Sequence, residues 1–276
     1  SRKVTLTAVA TSPRPGSWSP APRGPSGRAG DQEPGRGLVA TAVSVTFRDR
    51  GRRYPAPAPA LDAVDFTAPP GCATGIVGPS GSGKTTLLRV LAGLHPAHSG
   101  RLTLDGRPLA AAAHRRTRQD QRRIQFVPQD PLAALNPART VGAALARPVR
   151  LHGGLTRSGV PARVAELLRQ VDLPADFAGR YPAELSGGQR QRVSLARALA
   201  AGPDVLLCDE ITSALDDDTA GAVMELLARL RTERAMSLVV VSHELHLVAA
   251  HTDTVHLLEA GRLTCHGPTA SVLPAT

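Results

Sequence analysis

The stretch GPSGSGKTT, at residues 78–86, organises the interpretation of the whole chain. It matches the pattern G-x-x-x-x-G-K-[ST], in which a glycine-rich loop joins a strand to a helix and surrounds phosphate groups. The small, mostly apolar residues at 72–77 predict the strand, and leucines at helical spacing within 85–94 predict the helix. Because the glycines allow successive N–H groups to point at one anion, we predict that this loop binds a nucleoside triphosphate.

The motif also assigns roles to the individual residues of the loop. We expect the Lys84 ammonium to reach the β- and γ-phosphates and the Thr85 hydroxyl to bind Mg²⁺. The other residues expected to surround the phosphates are Gly78, Pro79, Ser80, Gly81, Ser82, Gly83 and Thr86.

Composition narrows the class of protein. A chain of 276 residues can form one large α/β domain with a sizeable core, and no stretch approaches the roughly 18 apolar residues of a membrane-spanning helix. The three cysteines are scattered without a C-x-x-C motif, which favours reduced thiols over a disulfide or zinc site. Residues 1–37 are rich in proline, glycine and arginine and predict a disordered arm, so the nucleotide-binding domain is expected to span 38–276.

The net charge of +10 raises the alternative of a protein that binds nucleic acid. Part of this excess lies in the arm, and the densest basic run elsewhere is HRRTRQDQRR, at 114–123. That run contains no aromatic residues that could stack on bases, so we favour a solvated connector.

Apolar segments separated by turn signals predict an α/β fold. Strands are predicted at 38–47, 63–67, 100–105, 123–128, 204–207, 237–241, 254–259 and 262–265. The apolar spacing becomes helical from about 130 to 185, which predicts a helical subdomain inserted into the α/β body. The predicted fold is a P-loop NTPase core, with a mixed sheet flanked by helices and an antiparallel β subdomain near the N-terminus.

Two acidic residues follow the apolar run VLLC. Asp209 and Glu210 end this predicted strand, in the pattern known as Walker B. A carboxylate at a strand end beside the phosphate loop can bind Mg²⁺, and its neighbour can polarise a water for in-line attack on the γ-phosphorus. We therefore predict that Asp209 is a metal ligand and Glu210 is the general base.

A second glycine-containing helix start lies at LSGGQ, residues 185–189. Ser186 and Gln189 are spaced as a capping box, and Gly187 and Gly188 leave main-chain N–H groups accessible to an anion. This stretch resembles the signature motif of the ABC ATPases. One chain needs only one triphosphate cradle, so a second anion site favours a head-to-tail dimer, in which these four residues contact the ATP of the partner.

The resemblance to ABC ATPases implies further site residues. Gln129 matches the glutamine that contacts Mg²⁺ or the attacking water, and His243 matches the switch histidine that contacts the γ-phosphate. Asp216 matches the D-loop aspartate at the dimer interface. We favour Tyr54 over Phe47 as the aromatic residue that stacks on adenine, and we expect Phe47 in the core.

A finer resemblance concerns the kind of ABC protein. The segment QDPLAALNP, at 129–137, is similar to that of the oligopeptide, dipeptide and nickel importer subfamily. The chain departs from the family at Ile211, where most members have proline, and this change removes no reacting group. The resemblance implies an ATPase at the cytoplasmic face of the membrane that uses ATP and Mg²⁺ to energise uptake of peptides, a related small solute or nickel.

The same resemblance implies partners and leaves alternatives. We expect a second ATPase subunit, identical or not, separate transmembrane permease subunits and an extracytoplasmic solute-binding protein, and we expect no nucleic acid. The main alternative is a soluble ABC ATPase that acts on nucleic acid or in translation. A further alternative is a regulatory subunit that binds nucleotide without hydrolysing it, against which the presence of Glu210 and His243 argues.

Overall fold

Two β-sheets form the framework of the computed structural model, which describes residues 36–47, 59–153 and 155–273. All of these residues belong to one unit, from Glu33 to Thr276. The predicted arm lies almost entirely outside the described residues, and so does Tyr54. Both expectations therefore stay predictions.

The smaller sheet has four antiparallel strands in the order β2-β1-β4-β5. Its strands are β1 (Leu38–Val45), β2 (Leu61–Ala68), β4 (Ser99–Leu104) and β5 (Arg107–Leu109). In β2 the buried residues Val64, Phe66 and Ala68 alternate with exposed ones, as expected of a strand with one face on the core. This sheet confirms the predicted antiparallel β subdomain.

The larger sheet has six strands in the order β10-β9-β3-β8-β7-β6. They are β3 (Ala73–Val77), β6 (Ile124–Val127), β7 (Val205–Asp209), β8 (Ser237–Val241), β9 (Thr254–Glu259) and β10 (Arg262–Pro268). The first five in the chain are parallel, and β10 pairs antiparallel with β9. Because parallel strands end at the same edge, the residues that follow β3, β6, β7 and β8 are brought together there.

Helices cover the larger sheet and form the predicted insertion. They are α1 (Lys84–Ala92), α2 (Arg118–Arg123), α3 (Pro131–Ala134), α4 (Val141–His152), α5 (Val160–Gln170), α6 (Gly187–Leu199), α7 (Asp217–Arg234), α8 (Leu245–His251) and α9 (Thr269–Val272). Between β6 and α6 the chain is helical, and Leu145 of α4 and Leu167 of α5 are fully buried in one cluster with the α6 side chains. This arrangement confirms the helical subdomain. In the described ranges, no helix combines the length and apolarity needed to cross a bilayer.

The larger sheet is buried on both faces. In β7, Leu206 and Cys208 belong to the cluster formed with α6 and α7, while Val205 and Leu207 face a second cluster. That second cluster contains the smaller sheet and the leucines of α1, so α1 lies between the two sheets. Burial on both faces explains the continuous apolar runs of β3, β7 and β8.

The basic run at 114–123 differs from the prediction. Arg116 is only 5% exposed, and Arg123 forms ion pairs with Asp105 and Asp204, which lie at the ends of strands in different sheets. The expectation of a solvated connector is therefore wrong for these two side chains. Arg116 is enclosed beside Gly93 at the end of α1 and donates to Ala110 O, whereas Arg123 is held between carboxylates at the ends of two strands.

Candidate functional site

The glycine-rich loop closes around its own lysine. At Gly78 the backbone has φ 149°, and a Cβ there would lie 2.0 Å from the carbonyl oxygen of Leu258, so only glycine fits. Gly83 is also left-handed and begins α1 without a side-chain cap. The Lys84 side chain is buried, and its ammonium donates to the main-chain oxygens of Gly78 and Pro79, both at 2.9 Å. The loop is therefore preformed, with uncapped N–H groups at the helix start.

A polar atom of the same loop lacks a partner among the described residues. The Ser82 hydroxyl is buried and makes no hydrogen bond to any described residue. Buried polar atoms in proteins are normally hydrogen-bonded, so an unsatisfied hydroxyl beside a cationic side chain fits a loop that receives an anionic ligand.

Thr85 and Asp209 meet where α1 and β7 converge. The Thr85 hydroxyl donates to Asp209 Oδ1 at 2.9 Å, and Asp209 is only 4% exposed. Burial raises the pKa of Asp209, and the hydrogen bond from Thr85 acts in the opposite direction. A hydroxyl and a buried carboxylate are oxygen ligands of the kind that Mg²⁺ accepts, so these two residues fit the predicted metal site.

Glu210 stands at the centre of a hydrogen-bonded group at the same sheet edge. Its main-chain N–H donates to Val241 O at the end of β8, at 3.0 Å. Gln129 Nε2 donates to Glu210 Oε2 at 3.2 Å and to Ser213 Oγ at 3.1 Å. His243 Nδ1 lies 3.9 Å from the same carboxylate oxygen. The ends of β6, β7 and β8 thus bring together the predicted glutamine, base and histidine.

The turn after Asp209 has an unusual backbone. Glu210 has φ 46°, in the left-handed region, which costs a non-glycine residue about 1 kcal/mol or more. Ile211, at the position where the family usually has proline, is 3% exposed and packs into the core cluster around α6 and α7. The isoleucine therefore anchors this turn by burial, while the Glu210 side chain remains at the sheet edge.

These residues line a cleft of about 480 Å³. Its lining consists of Phe47, Ala60, Ser80, Gly81, Gly83, Lys84, Thr85, Thr86, Gln129 and Glu210. Gly78, Pro79 and Ser82 belong to the same loop. Asp209 lies next to the cleft, where it accepts a hydrogen bond from the lining residue Thr85. The structure thus brings together most of the site residues predicted within one chain.

Phe47 corrects one expectation. Its side chain is 51% exposed rather than in the core, and it lines the cleft two residues beyond the end of β1. Its ring centroid lies 5.0 Å from that of His95. The available signal was an aromatic residue at the end of the predicted strand 38–47, and that position was expected in the core.

The second helix start has the predicted capping box. Ser186 Oγ accepts from the Gln189 N–H at 3.3 Å, and Gln189 Oε1 accepts from the Ser186 N–H at 3.0 Å. A Cβ at Gly188 would lie 2.8 Å from Thr219 Cγ2, so glycine permits α6 to begin close to α7. Asp216 caps α7 by accepting from the Thr219 N–H at 3.0 Å.

The two predicted anion sites are separate within this chain. None of the signature residues contributes to the lining of the cleft, and neither does Asp216. The residues concerned are Ser186, Gly187, Gly188 and Gln189. Their predicted contact with the nucleotide of a second chain therefore stays a prediction.

Comparison with known proteins agrees with this geometry. The family described as ABC transporter matches residues 61–213. A peptide import ATP-binding protein of Brucella abortus (strain 2308) is 45% identical over 213 residues, covering 76% of this chain and 63% of the relative. The chain thus spans about 63% of the length of the relatives that it resembles in this way. The methionine import ATP-binding protein MetN 2 of Pseudomonas aeruginosa is 39% identical, covering 83% of this chain and 67% of the relative.

Solved structures with the same fold include a dimeric ATP-binding cassette in a post-hydrolysis state, bound to ADP and Pi. It is 28% identical, with a TM-score of 0.73, and the similarity covers 84% of this chain and 98% of the cassette. The match of the family over more than half of the chain, together with these relatives, establishes the classification. The chain belongs to the ABC transporter family.

Proposed function

We propose that this chain binds and hydrolyses ATP and is the energy-supplying subunit of an ABC importer. The observation that carries this proposal is the convergence of Lys84, Thr85, Asp209 and Glu210 at one edge of the larger sheet. The kinship with import ATP-binding proteins and with a cassette bound to ADP and Pi supports it.

The proposed chemistry follows from the position of each side chain. Lys84 would turn from the loop carbonyls to the β- and γ-phosphates, and the α1 start would supply main-chain donors. Thr85, Asp209 and Gln129 would hold Mg²⁺, which when bound neutralises phosphate charge. Glu210 would accept a proton from the attacking water, while His243, close to the same carboxylate, would contact the γ-phosphate.

We propose Phe47 as the platform for the adenine base. Among the described residues, it is the aromatic side chain that lines the cleft, and its half-exposed ring is available for stacking. Stacking of a base on an aromatic side chain contributes about 1–3 kcal/mol. Tyr54, the residue favoured from sequence, remains a candidate outside the described residues.

We propose that a permease subunit docks in a groove of about 980 Å³ between β6, α1 and α3. Pro128 lines the groove, and the next residue, Gln129, lines the cleft. A partner bound in the groove would therefore respond to changes in the cleft. Among the described residues, the lining of the groove includes Arg89, His114, Arg116 and Arg197 and no carboxylate. Arg116 is buried, and its Nη2 has no hydrogen-bond partner among the described residues. These features favour a docking segment that offers carbonyl or carboxylate acceptors.

The proposed assembly also requires a second ATPase subunit. Because the signature residues lie outside the cleft of their own chain, they would complete the cleft of a partner packed head to tail. The solute would be a peptide or a related small molecule such as methionine, in keeping with the relatives. The subunit would sit at the cytoplasmic face of the membrane, with a solute-binding protein on the other side.

The variant Glu210→Gln tests the proposed reaction. It keeps the size of the side chain but cannot accept a proton, so turnover should fall by about 100-fold or more while ATP affinity changes less than about twofold. Phosphate release and calorimetric ATP binding measure the two quantities. Glu259→Gln, an exposed change at the end of β9, serves as the matched control and should retain full turnover. Unchanged turnover in Glu210→Gln would sink the assignment of the base.

A further inference from the structure

His98 is hydrogen-bonded to the backbone just before Phe47, the proposed base platform. The Thr46 main-chain N–H donates to His98 Nδ1 at 3.1 Å, across 52 residues of sequence. The His98 main-chain N–H donates in turn to Ser44 O at 2.9 Å. His98 therefore holds the segment before Phe47 at two points, Ser44 through its backbone and Thr46 through its side chain.

The hydrogen bond to His98 replaces a missing strand partner. Strand β1 ends at Val45, and its pairing with β4 ends where Ser44 faces Ser99. Beyond that point the ladder offers no acceptor to the Thr46 N–H, and the imidazole of His98 occupies that place. Without it, the direction of Phe47 would depend on main-chain bonds further back, at Ser44 and Val45, and on the ring contact with His95.

We infer that His98 is a positioning residue for nucleotide binding, which acts through Thr46 to hold Phe47 against the adenine base. This inference rests on the proposed function, because it takes Phe47 as the base platform. A half-exposed ring has few packing contacts to fix it, so its orientation depends on the backbone that carries it. Ordering this backbone before the ligand arrives reduces the entropy lost on binding.

The chemistry of the bond supplies a matched pair of variants. An imidazole nitrogen accepts a hydrogen bond only when it carries no proton, so His98 must act through an unprotonated Nδ1. The carbonyl oxygen of asparagine can take the place of this nitrogen, whereas alanine offers no acceptor. His98→Asn should therefore preserve the function that His98→Ala removes.

The experiment distinguishes the contribution of the adenine base to binding from that of the phosphates. Dissociation constants of Mg²⁺-ADP and of Mg²⁺-pyrophosphate are measured by calorimetry for the parent chain and the variants, so that hydrolysis does not interfere. Loss of a single positioning hydrogen bond should weaken ADP binding by about three- to tenfold in His98→Ala. Pyrophosphate binding should stay unchanged, because it does not use the base platform. His98→Asn should bind ADP within about twofold of the parent.

Two further variants show whether a negative result concerns His98 or the base platform at Phe47. His251→Ala, at the end of α8, is the control for loss of a histidine and should bind both ligands normally. Phe47→Ala should weaken ADP binding at least as much as His98→Ala, and the double variant should lose little more, because both changes act on the same contact. Normal ADP binding by Phe47→Ala would refute the platform itself.

Other outcomes would overturn only the role of His98. If Phe47→Ala weakens ADP binding and His98→Ala does not, His98 does not position the ring. Equal weakening of ADP and pyrophosphate in His98→Ala would mean a general loss of structure. An asparagine variant as weak as the alanine variant would show that the hydrogen bond is not the cause.

Discussion

The starts of α1 and α6 are both rich in glycine, but their N–H groups are satisfied differently. At α1 no side chain caps the helix, and the buried Lys84 bonds to carbonyls of the loop. At α6 the side chains of Ser186 and Gln189 satisfy each other's main-chain N–H groups. The first start is open to a phosphate within its own chain. The second is stable without a ligand and lies outside the cleft.

Under the proposed function, this difference would let one chain present two anion sites without competition between them. A helix start that needs a ligand is placed at the edge of the larger sheet, beside Asp209 and Glu210. A helix start that caps itself can remain exposed until a nucleotide on another chain reaches it. In the capping box the N–H groups of Gly187 and Gly188 are not among those that the two side chains bond, so they remain for an incoming anion.

The largest effect is expected at the α1 start. Lys84→Ala removes the ammonium nearest the phosphates, so ATP and ADP binding should weaken by about 100-fold or more and turnover should be undetectable. Calorimetry and phosphate release give these values. Arg107→Ala, an exposed change in β5, is the control and should bind nucleotide normally. Near-normal nucleotide binding by Lys84→Ala would contradict the proposal that the α1 start, unlike the α6 start, binds phosphate within its own chain.

At the second start, the expected effect depends on a partner chain. Ser186→Ala removes the cap and should destabilise the fold by about 1 kcal/mol. ADP affinity should stay within about twofold, because Ser186 lies outside the cleft of its own chain. Turnover should fall by about tenfold or more, since in the proposed dimer this residue contacts the nucleotide of the partner. Weaker ADP binding, measured in dilute protein, would place Ser186 in the cleft of its own chain.

The sequence predicted the elements whose signals are local. The strand, loop and helix around Lys84, the capping box at Ser186 and the apolar strand before Asp209 all depend on residues a few positions apart. Features that depend on distant segments were missed. The exposure of Phe47 follows from where β1 ends against β4, and the burial of Arg116 follows from how the surrounding elements pack. The left-handed φ of Glu210 likewise had no local signal.

A third prediction concerns Asp209, which lies beside the start of α1 and whose burial lowers the stability of the fold when no Mg²⁺ is bound. Because burial raises the pKa of Asp209, ionising this carboxyl costs more in the folded chain than in the unfolded one. Its burial therefore destabilises the fold increasingly as the pH rises from the ordinary pKa of an aspartate through the raised pKa, and the loss persists above it. Asp209→Asn, which keeps an acceptor for Thr85, should raise Tm at pH 7 by about 2–4 °C without Mg²⁺.

Measurements of Tm at different pH values, with and without Mg²⁺-ADP, test this interpretation. The gain in Tm should shrink as the pH falls below the raised pKa of Asp209, because the parent side chain then becomes neutral as well. Mg²⁺-ADP should stabilise the parent more than Asp209→Asn, since the variant lacks the anionic ligand. A lower Tm at neutral pH, or a gain that is independent of pH, would contradict a cost from burial. Ser186→Ala, at the other helix start, should show no such gain.

The smallest effect is expected from the second half of the capping box. Gln189→Ala leaves the Ser186 N–H without its side-chain acceptor, but this donor is exposed and water can replace the carbonyl. The loss should be about 0.5 kcal/mol, and the decrease in Tm about 1–2 °C. ADP affinity should be unchanged, and turnover should fall less than in Ser186→Ala. A larger loss of turnover in Gln189→Ala than in Ser186→Ala would mean that Gln189 contributes more than Ser186 to the partner's nucleotide site, and that capping is not its main role.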